Sequence, residues 1–383
     1  MPRAFVIVID ACGVGALPDA ADYGDDPASN TLDHVAELAG GLDLPVLGAL
    51  GLGCIEPLRG VPAVADPVLH GRLAPIGPGK ESVTGHWELM GVVPQAPLPT
   101  YPQGFPEDLV RELEHVTGAR FCCNRPYSGT QVLEDYGEHH LRTGELILYT
   151  SADSVLQIAA HHEVLDEPGL HSLCASVREL MRGPHAVGRV IARPFIGGPG
   201  AWVRTTGRHD YALVPPSRSY LEELGDAGMD VHGVGKIRDL FAGVGVACSH
   251  PGATNEQAIA STTELVRTLE RGLVFVNLVD TDQVFGHRHN VAGFADALVA
   301  IDHAVGGWLG SLGEDDMLVL TADHGVDPMA AHTDHTREYA PLLARFSGHG
   351  GRRHDGLLAD VGASVLRWLT GREAPGLPGQ SFL

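Results

Sequence analysis

Cysteine and basic residues are scarce in this chain of 383 residues. It has six cysteines, none of them in a CxxC pair. So few cysteines indicate free thiols in a reducing compartment rather than a disulfide framework, and we expect a cytoplasmic protein. Lys and Arg together number 26 against 48 Asp and Glu, which gives a formal net charge of −22. This balance argues against a nucleic-acid partner, because nucleic-acid surfaces need clustered cations.

Long apolar runs are also absent. None approaches the ~20 residues that a membrane-spanning helix needs, so we expect no membrane association. The apolar run from Ala4 to Ile9 is too short for a signal sequence and ends at Asp10. The chain is nevertheless 44% hydrophobic and contains 49 glycines, which suits a large core with many tight turns. Its length allows two or three domains.

Two proline-rich breaks divide the chain. Five prolines lie between Pro94 and Pro106, and a second break comes at Pro215 and Pro216. The segment between the breaks has its own predicted elements, namely strands at Leu146 to Thr150 and Ala186 to Ala192 and helices at Pro106 to Val116 and Leu170 to Met181. We therefore predict a smaller α/β domain, residues 97–214, inserted into a core made of residues 1–96 and 215–383.

Strand and helix patterns alternate in the two core segments. Continuous β-branched apolar runs predict buried strands, and amphipathic or capped runs predict the helices between them. The strands are predicted at Ala4 to Ile9, Met229 to His232, Val244 to Ala247, Leu273 to Val279 and Met317 to Leu320. The helices are predicted at Thr254 to Arg271, Phe294 to Leu312 and Asp355 to Leu369. This alternation predicts an α/β fold with a doubly wound, mostly parallel sheet.

Acidic and imidazole side chains follow three of these strands. The candidate metal ligands are Asp10, Asp282, His287, Asp323, His324 and His335. Each of these residues alone could have a structural role. Asp10, for example, could be a buried residue that caps the next turn. Together they stand at strand ends, where open α/β sheets bind their ligands. Six such ligands suit two divalent cations, and a mixed carboxylate–imidazole set favours manganese or zinc over calcium or magnesium.

Thr84 is the candidate nucleophile. It lies in ESVTGHWELMG, from Glu81 to Gly91, where a helix is predicted to begin. Spacing alone favours an ordinary helix N-cap. The functional interpretation makes its hydroxyl an attacking group at a helix N-terminus, where free N–H groups favour a phosphate. Two cations roughly 4 Å apart would activate that hydroxyl and bind the phosphoryl oxygens, so the residues predict phosphoryl transfer.

Seven segments spread over nearly the whole chain form an ordered set of motifs. They are VIDACGVGALPDA (Val8 to Ala20), SVTGHWELMG (Ser82 to Gly91), YTSADSVLQIAAH (Tyr149 to His161), GRVIARPF (Gly188 to Phe195), GVGKI (Gly233 to Ile237), NLVDTDQVFGHRHN (Asn277 to Asn290) and TADHGVDP (Thr321 to Pro328). In content and order the sequence resembles the bacterial phosphopentomutases of the alkaline phosphatase superfamily. The whole set is far more specific than any single motif.

The resemblance implies a site in a metal-bearing core that a cap domain interrupts. The nucleophile would be Thr84, and the enzyme would be active when this residue is phosphorylated. The implied ligands of two manganese ions form two trios, Asp10, Asp323 and His324 for one ion and Asp282, His287 and His335 for the other. The implied substrate contacts are Ser151, Asp153 and Arg193 of the cap and Lys236 of the core.

The resemblance also implies an activity in nucleoside catabolism. Ribose 1-phosphate and 2-deoxyribose 1-phosphate would be interconverted with the 5-phosphates, so the partners would be small pentose phosphates. Phospho-Thr84 would give its phosphoryl group to the free hydroxyl of the substrate. The resulting 1,5-bisphosphate would return its other phosphate, and a sugar bisphosphate would prime the unphosphorylated enzyme. A cap that closes over the site would keep water away.

Two rival interpretations use the same residues differently. A metal-dependent phosphatase of the same superfamily would need the same nucleophile and metals. The SADSVLQ and ARPF stretches of the cap favour a phosphopentomutase over that phosphatase and over a phosphoglycerate mutase. A metal-dependent binding protein without catalysis would be expected to have lost a ligand or the nucleophile, whereas every one of these positions is filled.

Overall fold

The protein forms two compact units. The computed structural model describes residues 2–151, 154–348 and 350–383. The core unit comprises Met1–Pro97 and Pro215–Leu383, and the inserted unit comprises Leu98–Val214. The chain thus passes from one unit to the other inside the two proline-rich stretches.

Strands and helices alternate along most of the chain. The strands are β1 (Arg3–Ile9), β2 (Leu69–Ala74), β3 (Phe121–Pro126), β4 (Leu146–Thr150), β5 (Val155–His161), β6 (Arg189–Ile196), β7 (Val203–Arg204), β8 (His209–Ala212), β9 (Val231–Val234), β10 (Cys248–His250), β11 (Gly272–Leu278), β12 (Asp316–Thr321), β13 (Ala340–Arg345) and β14 (Gly356–Leu357). The α-helices are α1 (Thr31–Leu38), α2 (Pro45–Leu50), α3 (Leu52–Ile55), α4 (Ser82–Leu89), α5 (Glu107–Thr117), α6 (Gln131–Thr143), α7 (Glu167–Leu180), α8 (Tyr220–Asp226), α9 (Ile237–Leu240), α10 (Asn255–Thr268), α11 (Val291–Leu309) and α12 (Ala359–Thr370). Within the described ranges, no helix combines the length and the apolarity that crossing a bilayer demands.

The core unit is built on one eight-stranded sheet. Its strand order is β10-β9-β11-β1-β12-β13-β2-β14. The strands from β10 to β12 run parallel, while β13 is antiparallel to both of its neighbours. Nearly all residues of β1, β11 and β12 are buried, as expected for parallel strands that helices cover on both faces. The predicted α/β fold with a mostly parallel sheet is confirmed.

The three central strands of this sheet place acidic residues at one edge. β1 pairs in parallel with both β11 and β12, and Ile9 lies opposite Leu278. The carboxyl ends of these strands therefore meet at the same edge, which is where open α/β sheets bind ligands. The residues that follow the three strands include Asp10, Asp282 and Asp323.

Glycine explains one misplaced strand. The prediction of a strand at Val244 to Ala247 is wrong, because Gly243 and Gly245 adopt φ angles of 79° and 72° and the chain turns there. Positive φ suits glycine and breaks an extended run. The strand that pairs with β9 begins only at Cys248.

Other predicted boundaries shift by a few residues. β9 begins at Val231 rather than Met229, and α12 begins at Ala359 rather than Asp355 because the short strand β14 comes first. The remaining predicted elements of the core are present as β1, α10, β11, α11 and β12.

The inserted unit has its own mixed sheet with two hydrophobic faces. Its strand order is β3-β4-β5-β6-β7, and β8 also pairs with β6. Leu146 and Leu148 of β4 pack with residues of α5 and α7, whereas Ile147 and Tyr149 pack with residues of α6. This alternation is the two-residue period of a strand, so one strand contributes to both cores. The predicted elements β4, β6, α5 and α7 are present, and β3, β5 and α6 are additional to the prediction.

A buried carboxylate ties three segments of the core unit together. Glu338 Oε2 accepts hydrogen bonds from the backbone N–H groups of Thr31 at 2.9 Å and Gly15 at 3.3 Å. Glu338 Oε1 accepts from the hydroxyls of Thr31 at 2.7 Å and Thr336 at 2.6 Å. Burial raises the pKa of Glu338 to about 7, although these hydrogen bonds act to lower it. Stability should therefore depend on its protonation.

Replacing Glu338 by Gln should flatten the pH dependence of stability. The folded-state pKa of about 7 lies above the ordinary 4.5, so the folded protein binds more protons than the unfolded chain between these values. The free energy of unfolding of the metal-free wild type should fall as the pH rises from 4.5 to 7, relative to Glu338→Gln. The difference in slope should reach about 1.4 kcal/mol per pH unit at most.

Chemical denaturation at a series of pH values measures this slope. Glu37→Gln removes an exposed carboxylate from α1 and is the control for the loss of one charge. Equal slopes in the wild type and Glu338→Gln would contradict the prediction.

Candidate metal centre

The segment after β11 brings two ligands to the sheet edge. It forms a π-helical turn, Thr281–Phe285, followed by a 3-10 turn that contains His287. The hydroxyl of Thr281 donates to the carbonyl oxygen of Asp10 at 2.6 Å and so fixes the turn against the end of β1. Asp282 Oδ1 then lies 3.3 Å from His287 Nε2. Single π-turns of this kind are rare and are found mostly at functional sites.

One trio of ligand atoms lies at this turn. A carboxylate oxygen of Asp282 and imidazole nitrogens of His287 and His335 lie within 4.8 Å of one another. The two Nε2 atoms are 3.2 Å apart, and each is 3.3 Å from Asp282 Oδ1. His287 Nδ1 lies 2.6 Å from the carbonyl oxygen of Thr333, so Nδ1–H donates and Nε2 keeps its lone pair. Metal-binding histidines are commonly oriented in this way.

A second trio shares one member with the first. Oxygen atoms of Asp10 and Asp282 and a nitrogen of His324 lie within 4.8 Å of one another. His324 Nε2 is 3.4 Å from Asp10 Oδ1 and equally 3.4 Å from Asp323 Oδ2, while its Nδ1 donates to Gly325 at 3.0 Å. The structure therefore brings all six predicted ligands together, with Asp323 against His324 and with Asp282 in both trios.

Two carboxylate oxygens at this edge have no hydrogen bond. Asp282 Oδ1 and Asp323 Oδ2 are buried and make none with any described residue, although the nearest histidine nitrogens lie 3.3 Å from the first and 3.1 Å from the second. A buried carboxylate oxygen left unpaired is costly, and a bound cation removes that cost. The donor set of carboxylates and imidazoles with free Nε2 atoms therefore fits divalent cations.

The buried carboxylates of this cluster are stabilised by nearby positive charge. Burial acts to lower the pKa of His324, but the carboxylates of Asp323, Asp10 and Asp282 outweigh it and raise the pKa to about 10. Burial acts to raise the pKa of Asp10, but His324 and Lys236 hold it well below its ordinary range. In the metal-free protein a proton on His324 thus supplies charge that a cation would otherwise bring.

The first turn of α4 places two hydroxyls at the site. The N-cap is Glu81, so the N-cap interpretation of Thr84 is wrong. The buried Thr84 hydroxyl instead donates to the Glu81 carbonyl oxygen at 3.1 Å. Ser82, which sequence reasoning did not select, donates to Asp10 Oδ1 at 3.2 Å and lies 3.0 Å from His324 Nε2. Both hydroxyls must therefore be considered as acceptors of a phosphoryl group.

A glycine-containing loop closes on Thr84. A Cβ on Gly79 would lie 2.1 Å from Thr84 Oγ1, so only glycine permits this approach. Glu88 accepts a hydrogen bond from the backbone N–H of Gly77 at 3.1 Å, and Arg337 Nη1 donates to the Gly79 carbonyl oxygen at 2.5 Å. These two side chains hold the loop in place.

His86 and Asn277 brace the ligands and are missed by sequence reasoning. The Asn277 amide donates to Asp10 Oδ2 at 2.8 Å and lies 3.3 Å from His86 Nε2. His86 Nδ1 lies 2.8 Å from the Ser82 carbonyl oxygen and 3.1 Å from Asp323 Oδ2. These contacts orient the two carboxylates. Both residues fall inside the TGHWE and NLVDTD motifs, which is the signal that could have found them.

The predicted substrate contacts are divided between the two units. Lys236 precedes α9 in the core unit. It is near enough for its positive charge to help lower the pKa of Asp10. Arg193 lies in β6 of the inserted unit, where its guanidinium donates to Gln157 Oε1 at 3.2 and 3.0 Å. Ser151 follows β4 in the same unit and is half-buried. Asp153 lies outside the described residues.

The fold and the donor set define a metal-dependent α/β enzyme, and a model of the Metalloenzyme superfamily matches residues 2–371. The phosphopentomutase of Carboxydothermus hydrogenoformans is 46% identical over 100% of this chain and 98% of its own. The phosphopentomutase of Symbiobacterium thermophilum is 48% identical over 95% of this chain and 93% of its own. The chain belongs to the phosphopentomutase family. The resemblance that the motifs indicate is confirmed, as is the expectation of a metal-dependent isomerase.

The fold extends to proteins of distant sequence. A solved structure from Pyrococcus horikoshii has a TM-score of 0.50 at 14% identity and covers 97% of this chain and 98% of that protein. At this identity the likeness concerns the fold alone.

Replacing Asp282 by Asn should remove metal from both trios, because its carboxylate belongs to both. His287→Ala should remove metal from one trio only. Elemental analysis after equilibration with Mn²⁺ and dialysis measures the number of bound ions. Asp296→Asn, an exposed carboxylate on α11, should bind as many ions as the wild type. Undiminished binding by Asp282→Asn would show that this carboxylate is not a shared ligand.

Replacing Gly85 by Ala should displace the ligand loop. The new Cβ would lie 2.4 Å from the carbonyl oxygen of Asp323 and 2.8 Å from its Cβ, so α4 or the loop must shift. Overpacking of this kind costs about 1–3 kcal/mol of stability, and turnover should fall with it. Gly225→Ala in α8, with nothing within 4 Å, is the matched control and should be neutral or stabilising by up to about 1 kcal/mol. Wild-type turnover in Gly85→Ala would contradict this account of the close approach.

Proposed function

We propose that this enzyme interconverts ribose 1-phosphate and 2-deoxyribose 1-phosphate with the corresponding 5-phosphates, through phospho-Thr84 and a 1,5-bisphosphate. The observation that carries the proposal is the buried hydroxyl of Thr84 in the first turn of α4, at an edge with three carboxylates and three imidazoles. The similarity to phosphopentomutases along almost the full length supports the same reaction.

Two Mn²⁺ ions are the cations that we propose for this site. The residues that would hold them are Asp10, Asp323 and His324 for one ion, and Asp282, His287 and His335 for the other, with Asp282 also close enough to Asp10 and His324 to contact the first ion. When bound, such cations lower the pKa of a hydroxyl and neutralise charge on phosphoryl oxygens. The mixed oxygen and nitrogen donors support manganese over magnesium or calcium.

Thr84 would carry the phosphoryl group between the two transfers. In the first, the bond from phosphorus to Thr84 Oγ1 breaks, a bond from phosphorus to the substrate hydroxyl oxygen forms, and Thr84 Oγ1 takes up the proton that the hydroxyl loses. In the second, the other phosphate of the bisphosphate returns to Thr84 in the same way. The free backbone N–H groups of the first turn of α4 favour the transferred anion.

The loop at Gly79 would gate this chemistry. A Cβ at Gly79 would lie 2.1 Å from Thr84 Oγ1, and this close approach supports a movement of the loop when a phosphoryl group is present. Glu88 holds the loop at Gly77, whereas Arg337 donates to the carbonyl oxygen of Gly79 itself, so the movement would alter that hydrogen bond. A loop that returns over the phosphothreonine would exclude water and so favour transfer over hydrolysis.

The sugar phosphate would be recognised by residues of both units. We propose Ser151, Asp153 and Arg193 of the inserted unit, acting as a cap, and Lys236 of the core. Burial, and to a smaller extent the charge of Arg208, lowers the pKa of Arg193. A bound phosphate would stabilise the charge of this buried guanidinium, which can bind it with two parallel hydrogen bonds.

The cellular setting follows from the substrates. A sugar bisphosphate would prime Thr84, and the partners would be small pentose phosphates of nucleoside catabolism rather than nucleic acid. A cytoplasmic location is supported by the free cysteines, none of which forms a disulfide among the described residues.

Replacing Thr84 by Ala should abolish both turnover and phosphorylation. Removal of a nucleophile should lower conversion of ribose 1-phosphate by roughly 10³-fold or more in the presence of Mn²⁺. Labelling with radioactive ribose 1,5-bisphosphate followed by peptide mapping identifies the phosphorylated residue. Ser82→Ala, which removes the neighbouring hydroxyl from the same turn, should keep the label on Thr84.

The same assay separates this function from its rivals. If the label in the wild type is found on Ser82, then Ser82 rather than Thr84 is the nucleophile. Release of free phosphate from ribose 5-phosphate at the rate of conversion would indicate a phosphatase instead.

A further inference from the structure

A cysteine, a histidine and a glutamate converge within the inserted unit. Cys122 lies in β3, His139 in α6, and Glu145 directly before β4. One ligand atom from each residue lies within 4.8 Å of the other two, and all three residues are partly buried. None of the three belongs to the metal site of the core unit or to the proposed substrate contacts.

The fold of β3 presents the Cys122 thiol to α6. Phe121 packs with the hydrophobic cluster of α5 and α7, whereas Cys122 packs with the cluster on the α6 side. A bulge follows at once, because Cys123 and Asn124 have φ angles of 75° and 46° and the pairing with β4 shifts there. Bulges of this kind re-aim side chains and often lie beside functional sites.

The turn between α6 and β4 holds Glu145 firmly. The Glu145 backbone N–H donates to Thr143 Oγ1 at 3.2 Å, and its carbonyl oxygen accepts from His140 Nδ1–H at 2.6 Å. His140 Nε2 in turn accepts from the His161 backbone N–H at 2.8 Å. The glutamate is thus fixed by a buried, neutral histidine. Such supporting contacts are what a rigid ligand needs.

The thiol makes only weak contacts of its own. His139 Nε2 lies 2.6 Å from Glu145 Oε2, so these two side chains form a hydrogen bond. The Cys122 sulfur reaches the carbonyl oxygens of Leu146 and Glu145 at only 3.6 and 4.0 Å. A simple hydrogen-bonded pair would explain the first contact, but it leaves the thiol at its side without a role.

We propose that Cys122, His139 and Glu145 bind a zinc-class divalent cation, with solvent as the fourth ligand. Sulfur, nitrogen and carboxylate oxygen are the donors that Zn²⁺ takes, at about 2.3 Å for sulfur and about 2.0–2.2 Å for the others. The metal–sulfur bond replaces the S–H bond, and the proton is released to solvent. His139 binds through Nε2 and carries its proton on Nδ1.

The neighbouring side chain of Arg142 should weaken binding of the cation, so replacing it tests the proposal. Arg142 Nη2 lies 3.5 Å from His139 Nδ1 on the exposed surface, where it would face both the Nδ1 proton and the cation. It must turn away when the metal binds. Arg142→Ala should therefore bind the cation more tightly than the wild type, whereas loss of a merely structural contact would not tighten binding.

Cobalt(II) distinguishes this site from that of the core unit. The predicted core ligands are oxygen and nitrogen atoms, so a thiolate-to-cobalt charge-transfer band in the near ultraviolet reports a cysteine ligand. When the full-length protein is titrated with Co²⁺, this band should account for one equivalent of Co²⁺ beyond the amount that the core site binds. The band should be lost in Cys122→Ser and retained in Cys123→Ser, the matched control. The Co²⁺ concentration that gives half of the full band should rise by about tenfold or more in His139→Ala and Glu145→Gln.

A second measurement covers variants that fold poorly. In the wild type, Zn²⁺ should slow alkylation of Cys122 by iodoacetamide, read by mass spectrometry, more than that of Cys123. Turnover with Mn²⁺ should be unchanged in Cys122→Ser, which shows that the variant is folded. Absence of the charge-transfer band in the wild type, or its persistence in Cys122→Ser, would overturn the proposal. Equal alkylation of Cys122 with and without Zn²⁺ would also overturn it.

Discussion

Repulsion among buried carboxylates at one sheet edge is the constraint on which the structure depends. Asp10, Asp282 and Asp323 come from three neighbouring parallel strands, so the sheet itself forces them together. The cost of burying like charges is several kcal/mol for each ion unless positive charge is supplied. In the metal-free protein the raised pKa of His324 supplies part of it. Divalent cations supply it fully, and this links the fold to the chemistry of a metalloenzyme.

The surroundings of this edge are ordered by side chains that do not themselves bind the cations. The Asn277 amide donates to Asp10, and His86, whose Nδ1–H donates to the Ser82 carbonyl of α4, lies 3.1 Å from Asp323. Helix α4 can lie this close only because Gly85 has no side chain. The orientation of the ligands and the position of the phosphoryl acceptor are therefore set by one packed unit. A cation that binds there meets atoms already aimed at it, which lowers the cost of reorganisation.

The sequence predicts those parts of this site that follow from sheet geometry. Apolar runs ending in acids suffice to group Asp10, Asp282 and Asp323, because parallel neighbours end at one edge. The contact of Ser82 with Asp10 depends on the rotation of α4 about its axis, which no local pattern encodes. In the sequence, nothing distinguishes Asn277 from the other residues of the buried strand β11. The shift of β10 depends on positive φ at glycines after β9, which composition alone does not locate.

Charge explains how so acidic a chain could hold a sugar phosphate. With a net charge of −22, the chain has few cations to spare, and Lys80 and Lys236 are its lysines. Lys80 donates to Asp25 at 2.8 Å and continues the loop over Thr84, while Lys236 helps to stabilise the charge of Asp10. The Lys80 ammonium is thus paired with Asp25, which leaves Lys236 as the lysine whose charge acts on the ligand cluster. Lys236 and the proton on His324 do not offset three buried carboxylates, so an unmetallated edge repels a phosphate. In the proposed reaction, metal binding therefore reverses the sign of the local field, and affinity for substrate and activation of Thr84 arise from the same ions.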